Sequence, residues 1–252
     1  MRVFITGASS GIGAALAHCY AARGAILGLV ARREAALGEV ARATGARTET
    51  YACDVRDLAA MDAAGRDFIA RHGVPDLVIA NAGTSHGTLT GEPEDARTFA
   101  EILEVNVIGM MHTFHPFAGA MRQERRGVLA GIASVAGFRG LPGAGAYSAS
   151  KAAAIRYLEA LRVEMRASGV RVVTVCPGYI ATPMTERNPY RMPFLLSAEE
   201  AARRIAGAID SGRSFTVIPW QMAIVGRLMR LLPNAVFDPL AARARRKPRR
   251  GA

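Results

Sequence analysis

The sequence predicts one α/β domain built on a doubly wound parallel sheet of about seven strands, and three observations carry that expectation. Six or seven short apolar runs alternate with helical stretches, and near-continuous hydrophobic strands belong to parallel sheets covered on both faces. The first run, Arg2 to Thr6, leads through T-G-A-S-S-G-I-G into an Ala-rich stretch ending near Arg23, which reads as strand, glycine turn and helix. No repeat, linker or composition break interrupts the 252 residues before a basic end, so residues 1–240 form the expected domain and 241–252 a disordered tail.

Each element then has its reason. Gly7, Gly11 and Gly13 let the first turn bend tightly and approach a pyrophosphate at a helix N-terminus. Their spacing differs from G-x-G-x-x-G, and an ordinary glycine turn would use the same residues. Residues 25–31 form the second strand. After it stand Arg32 and Arg33, where an NAD-binding fold carries an acid for the adenosine ribose. Either the guanidinium groups pair with a 2′-phosphate, favouring NADP, or they are solvated at the start of the next helix. The third strand, 48–53, ends at Asp54 and Val55. Asp54 either contacts adenine or caps the helix that begins near Asp57. Residues 76–80 form the fourth strand and lead into Asn81, Ala82 and Gly83, small residues suited to a flat ring against the backbone or to a tight turn.

A long helical region is expected over 93–122, with the amide of Asn106 buried among Val105, Val107 and Ile108 and needing partners there: backbone, water or a lysine. The fifth strand, 127–133, delivers Ser134. The next helix, 146–168, buries Ile155, Leu158, Leu161 and Met165 at helical spacing. Tyr147 and Lys151 lie one turn apart in its first two turns. A free phenol has a pKa of about 10, and a neighbouring ammonium favours its phenolate, which makes an acid able to exchange protons near neutrality. Solvated helix faces also carry such pairs. The sixth strand, 170–175, ends in Pro177 and Gly178, with Thr182 beyond, and Phe215–Ile218 is a seventh.

Composition narrows the function classes. The formal net charge is +11, but Arg243, Arg245, Arg246, Lys247, Arg249 and Arg250 supply six of those charges, leaving about +5 on the body. The tail has no aromatics for base stacking, so no specific nucleic-acid partner is expected. Cys19, Cys53 and Cys176 are far apart, which argues against disulfides and zinc. Met1 precedes a strand-like run with no secretory signal pattern, and a cytoplasmic protein is expected. The apolar stretch 220–237 before the arginines suits either packing, in the core or between subunits, or a membrane-surface contact through residues 220–250 at the inner membrane.

With T-G-x-x-x-G-x-G, N-A-G, Asn106, Ser134, Tyr147, Lys151 and P-G in order, residues 2–185 resemble the short-chain dehydrogenase/reductase family. The resemblance implies a Rossmann fold and an active-site quartet of Asn106, Ser134, Tyr147 and Lys151. It also implies cofactor contacts from Gly7, Ser9, Ser10, Gly11, Ile12, Gly13, Arg32, Arg33, Asp54, Val55, Asn81, Ala82, Gly83, Tyr147, Lys151, Pro177, Gly178, Ile180 and Thr182. Ser134 would hydrogen-bond the substrate oxygen while Tyr147 protonates it. Lys151 would bind the nicotinamide ribose and lower the Tyr147 pKa, and Asn106 would position a relay water. Ala80 departs from the pattern, standing where many members carry a further asparagine. The position of Arg32 resembles that of NADP-preferring members.

The family also places a substrate lid after P-G, here 183–196, rich in Met and aromatic residues. That suits a hydrophobic ketone or alcohol, although ordinary packing would use the same side chains. A homodimer or homotetramer, built partly on the helix of Tyr147, is a further implication. The expected activity is hydride transfer between NADP(H) and a carbonyl or secondary alcohol; the alternative is a nucleotide-binding sensor without turnover.

Overall fold

The computed structural model describes residues 1–186 and 188–250; Arg187 of the expected lid and Gly251 and Ala252 of the tail lie outside them. Seven parallel strands form one sheet, β1 (Arg2–Thr6), β2 (Ile26–Ala31), β3 (Thr48–Ala52), β4 (Leu77–Ala80), β5 (Val128–Ile132), β6 (Arg171–Pro177) and β7 (Phe215–Ile218). Their order is β3-β2-β1-β4-β5-β6-β7. This is the doubly wound Rossmann-like arrangement that the alternating pattern predicts, and the strand order reverses between β1 and β4.

Alternation along each strand splits the core in two. Val3 and Ile5 of β1, Leu27 and Leu29 of β2 and Ala130 and Ile132 of β5 point to one face. There they meet α1 (Gly11–Ala21), α2 (Glu34–Thr44) and α7 (Ala198–Asp210). Phe4, Val30, Val78 and Leu129 point to the other face. That side is closed by α3 (Leu58–His72), α5 (Gly109–Glu124) and α6 (Gly145–Met165). Phe4 packs against Phe117 and Phe68 with ring centroids 4.7 and 5.5 Å away. Each such aromatic pair adds about 0.5–1.5 kcal/mol beyond burial.

The expected helix over 93–122 is two helices. α4 (Asp95–Leu103) runs into α5 through a π-turn at Glu104–Ile108, and the widened turn buries Asn106. After β7 come α8 (Gln221–Leu231) and α9 (Asn234–Ala242). Core packing describes only one face of this segment, where Met222 and Gly226 are buried; Trp220, Ile224, Leu228 and Leu231 line up along α8 in solvent, and Val236 and Leu240 of α9 are also exposed. Among the described residues no helix is long and apolar enough to cross a membrane.

The tail differs from its expectation. Up to residue 250 it lies back across the body, where Arg249 forms a parallel bridge with Gly87 and pairs with Asp95 at 2.8 Å and Glu92 at 3.1 Å. The reason is charge complementarity across a long sequence separation. Acids at the start of α4 neutralise cations that composition alone reads as solvated.

Candidate active site

A cavity of about 350 Å³ opens at the C-terminal ends of the strands, where β1 and β4 part. Its floor is the turn between β1 and α1. Gly7 holds φ +69°, and a Cβ on it would lie 2.7 Å from the Ala82 Cα. A Cβ on Gly13 would lie 2.2 Å from the Gly7 carbonyl oxygen. Ser10 caps α1 without a side-chain bond, and the first turn contains no acid. The N–H groups of that turn are thus available to an anion such as a pyrophosphate. Cavity shape and amide supply both fit a dinucleotide.

The turn is fixed from β4. Asn81 Nδ2 donates to the carbonyls of Thr6 at 3.0 Å and Gly7 at 3.3 Å. Thr6 is fully buried, and its Oγ1 accepts from the backbone N–H groups of Asn81 and Ala82. Sequence reading missed this threonine, whose only signal is a hydroxyl at a strand end just before the glycines. Asn81 serves the backbone here, and Ala82 and Gly83 line the cavity.

At the end of β2, Arg33 Nη2 donates to Ser9 Oγ at 3.2 Å and Ser10 Oγ at 3.1 Å. Arg32 is exposed, with Nη1 3.8 Å from Asp54 Oδ2. Asp54 does not cap the following helix; Asp57 does, accepting from the Ala60 N–H at 3.0 Å. Burial alone would raise the Asp54 carboxyl, but hydrogen bonds from the Arg56 side chain and backbone prevail and hold it below the usual range. The end of the cleft beside β2 and β3 therefore presents two guanidinium groups and one ionised carboxylate.

At the other end, α6 supplies Tyr147 and Lys151, and the end of β5 supplies Ser134. Lys151 is 4% exposed, donates to the Ile132 carbonyl at 2.8 Å and sits 5.8 Å from the centre of the Tyr147 ring. Burial lowers its ammonium to about 8. The Tyr147 phenol is raised, not lowered: burial pushes it up and outweighs the opposing hydrogen bond with the Ser134 hydroxyl. The ammonium expected to favour the phenolate is turned instead to a backbone carbonyl. Cys176 beneath them is pushed up to about 12 by burial, so it stays a neutral thiol.

Asn106 does not reach Lys151. Its Oδ1 accepts from the Thr84 N–H at 2.8 Å, and its Nδ2 donates to the Thr84 carbonyl at 3.0 Å and Ser150 Oγ at 2.9 Å. The amide thereby joins the loop after β4 to α6. Asn106→Ala should cost about 1–3 kcal/mol, because it removes the partner of the half-buried Thr84 backbone groups and of the buried Ser150 hydroxyl. Chemical denaturation checks this, and a loss below 1 kcal/mol would show that water replaces the amide.

Of the expected site positions, Gly13 and Asn106 lie behind the lining, and the others line the cavity. Thr84, Ile132, Ala133, Met184 and Thr185 line it as well and were not anticipated as cofactor positions. Thr185 donates to the Ile180 carbonyl at 2.6 Å and receives the Thr182 N–H at 3.0 Å, which folds the first turn of the lid over the cleft. Further along the lid, Phe194 and Leu195 stay exposed.

The family model described as short chain dehydrogenase matches residues 1–192. The chain is 38% identical over 244 residues to an uncharacterized oxidoreductase of Myxococcus xanthus, covering 96% of each chain. It superposes with a TM-score of 0.83 and 26% identity on a short chain dehydrogenase/reductase of Burkholderia phymatum in complex with NAD, covering 100% of this chain and 97% of the other. A short chain dehydrogenase of Burkholderia cenocepacia in complex with NADP gives 0.82 and 26%, covering 95% and 96%.

Proposed function

The chain belongs to the short-chain dehydrogenase family, and from that premise we propose that it transfers hydride between NADP(H) and a carbonyl or secondary alcohol of a hydrophobic substrate. The observation that carries this reading is the meeting of Ser134, Tyr147 and Lys151 at one end of a cleft shaped for a dinucleotide. When bound, the nicotinamide supplies or accepts the hydride. Ser134 holds the substrate oxygen by its hydroxyl, and Tyr147 gives that oxygen a proton in reduction or takes one in oxidation. Lys151 binds the nicotinamide ribose hydroxyls once it leaves the Ile132 carbonyl, and there its charge favours the phenolate. Met184, Phe194 and Leu195 of the lid supply apolar surface for the rest of the substrate.

NADP is favoured over NAD by the arginine pair at the adenosine end, where Arg32 and Arg33 suit a 2′-phosphate. Arg32→Ala should weaken NADPH about tenfold or more and NADH by less than about twofold, because the guanidinium is exposed and its 3.8 Å pair with Asp54 is solvent-screened, which leaves the phosphate as its main partner. Fluorescence titration with both nucleotides checks this, and equal losses would remove the 2′-phosphate assignment. The activity itself is tested by following NADPH absorbance across a panel of ketones and alcohols. Nucleotide binding without turnover on any of them would turn the reading towards a sensor.

A further inference from the structure

Of the cations in the C-terminal strap, only Arg249 and Arg250 pair with acids among the described residues. Arg245 donates to the Pro189 carbonyl of the lid at 3.1 Å, and the stem of Arg246 packs against Gly143. Further on, the Gly87 N–H donates to the Pro248 carbonyl at 2.8 Å. Arg249 pairs with Glu92, Glu94 and Asp95, and Arg250 with Glu101. Each exposed pair contributes little alone, yet together they fix the strap's register across the active-site side of the body.

Lys247, at the centre, turns inward. Its Nζ donates to Ser85 Oγ at 2.9 Å and stands 5.8 Å from the centre of the Tyr147 ring, as far as Lys151 does. No carboxylate pairs with Lys247 among the described residues, because the acids of this region are taken by Arg249 and Arg250. An ammonium has three donors, and a single hydroxyl does not satisfy them. Burial lowers it to about 8, the response of a cation that lacks a counter-charge.

We propose that the strap forms one wall of the substrate pocket and that Lys247 receives an anionic group of the substrate, a carboxylate carried close to the carbonyl being reduced. The assignment rests on the oxidoreductase reading above. Lys151 is assigned above to the nicotinamide ribose, so Lys247 is the second cation near the Tyr147 ring and the one left for the substrate. Its closeness to the ring calls for a 2-oxo or 3-oxo acid, with the apolar remainder under the lid.

The test compares 3-oxohexanoate with its ethyl ester, which present the same ketone with and without the charge. Lys247→Met should lower kcat/KM for the acid roughly 30-fold, the size expected for a lost charge-assisted hydrogen bond, and change the ester less than about twofold. Lys247→Arg should recover part of the loss. Equal losses on both substrates would reduce Lys247 to a packing residue, and an unchanged acid would overturn the proposal. A second readout is independent of turnover: calorimetric titration of hexanoate into the NADP-loaded protein. Binding weakened at least tenfold in Lys247→Met supports the anion subsite even if neither ketone is reduced. The same affinity in both proteins, or no binding to the parent, contradicts it.

Discussion

Tyr147→Phe is expected to lower kcat/KM about 1000-fold or more while leaving dinucleotide affinity within about twofold. The substitution removes one oxygen from a ring held by α6, and general acid–base groups contribute about 100- to 10,000-fold. Ser134 loses its phenol partner but keeps its bonds to the Ala136 N–H and the Pro177 carbonyl, which hold its position. The pH dependence separates this role from packing. Burial raises the phenol above its ordinary range. In the complex Lys151, once off the Ile132 carbonyl, opposes that shift; reduction needs the protonated form, so its rate should fall as pH passes the phenol's resulting pKa. Oxidation needs the phenolate and should rise over the same interval. Both limbs should vanish in the Phe variant; a retained alkaline limb would assign the proton to another group.

Gly13→Ala is expected to reduce Tm by about 2–12 °C and to weaken the dinucleotide more than tenfold. The added methyl would lie 2.2 Å from the Gly7 oxygen and 2.6 Å from Asn81 Nδ2. The nearest obstacle is backbone, so relief requires moving the turn that β4 pins in place. Overpacking of this kind costs about 1–3 kcal/mol, and in a chain of this size each kcal/mol shifts Tm by about 2–4 °C. Gly207 is the control: it lies within α7 and a Cβ there meets nothing within 4 Å. Gly207→Ala should therefore be neutral or stabilising by about 0.5–1 kcal/mol. A Gly13→Ala protein that melts and binds like the parent would show that the turn yields, and the steric account of the cleft would fail.

Most of the sheet was legible because every strand but the polar edge strand β3 is a short apolar run bounded by a turn, and parallel strands buried on both faces need little else. The glycine turn, Ser134 and the Tyr147–Lys151 pair were legible for a similar reason, since their geometry is set by one or two adjacent elements. Features closed by distant partners were not. Asn106 reads equally as a ligand or a brace until Thr84 and Ser150 are seen beside it. The π-turn that buries it leaves no periodicity signal, because the flanking residues stay helical. Asp54 and Asp57 compete for one cap, and only geometry gives it to Asp57. The tail misled most. Its charge density is a local property, whereas its order depends on Glu92, Asp95 and Glu101, about 150 positions earlier in the chain.

The central claim is that Lys151 and Tyr147 work on a shared cofactor and substrate oxygen at the end of β5. A crystal structure of the NADP complex tests it most directly. The account predicts Lys151 Nζ released from the Ile132 carbonyl and bonded to the nicotinamide ribose, with the nicotinamide ring beside the Tyr147 and Ser134 hydroxyls. Lys151 still on the Ile132 carbonyl, with the nicotinamide turned away from Tyr147, would contradict it.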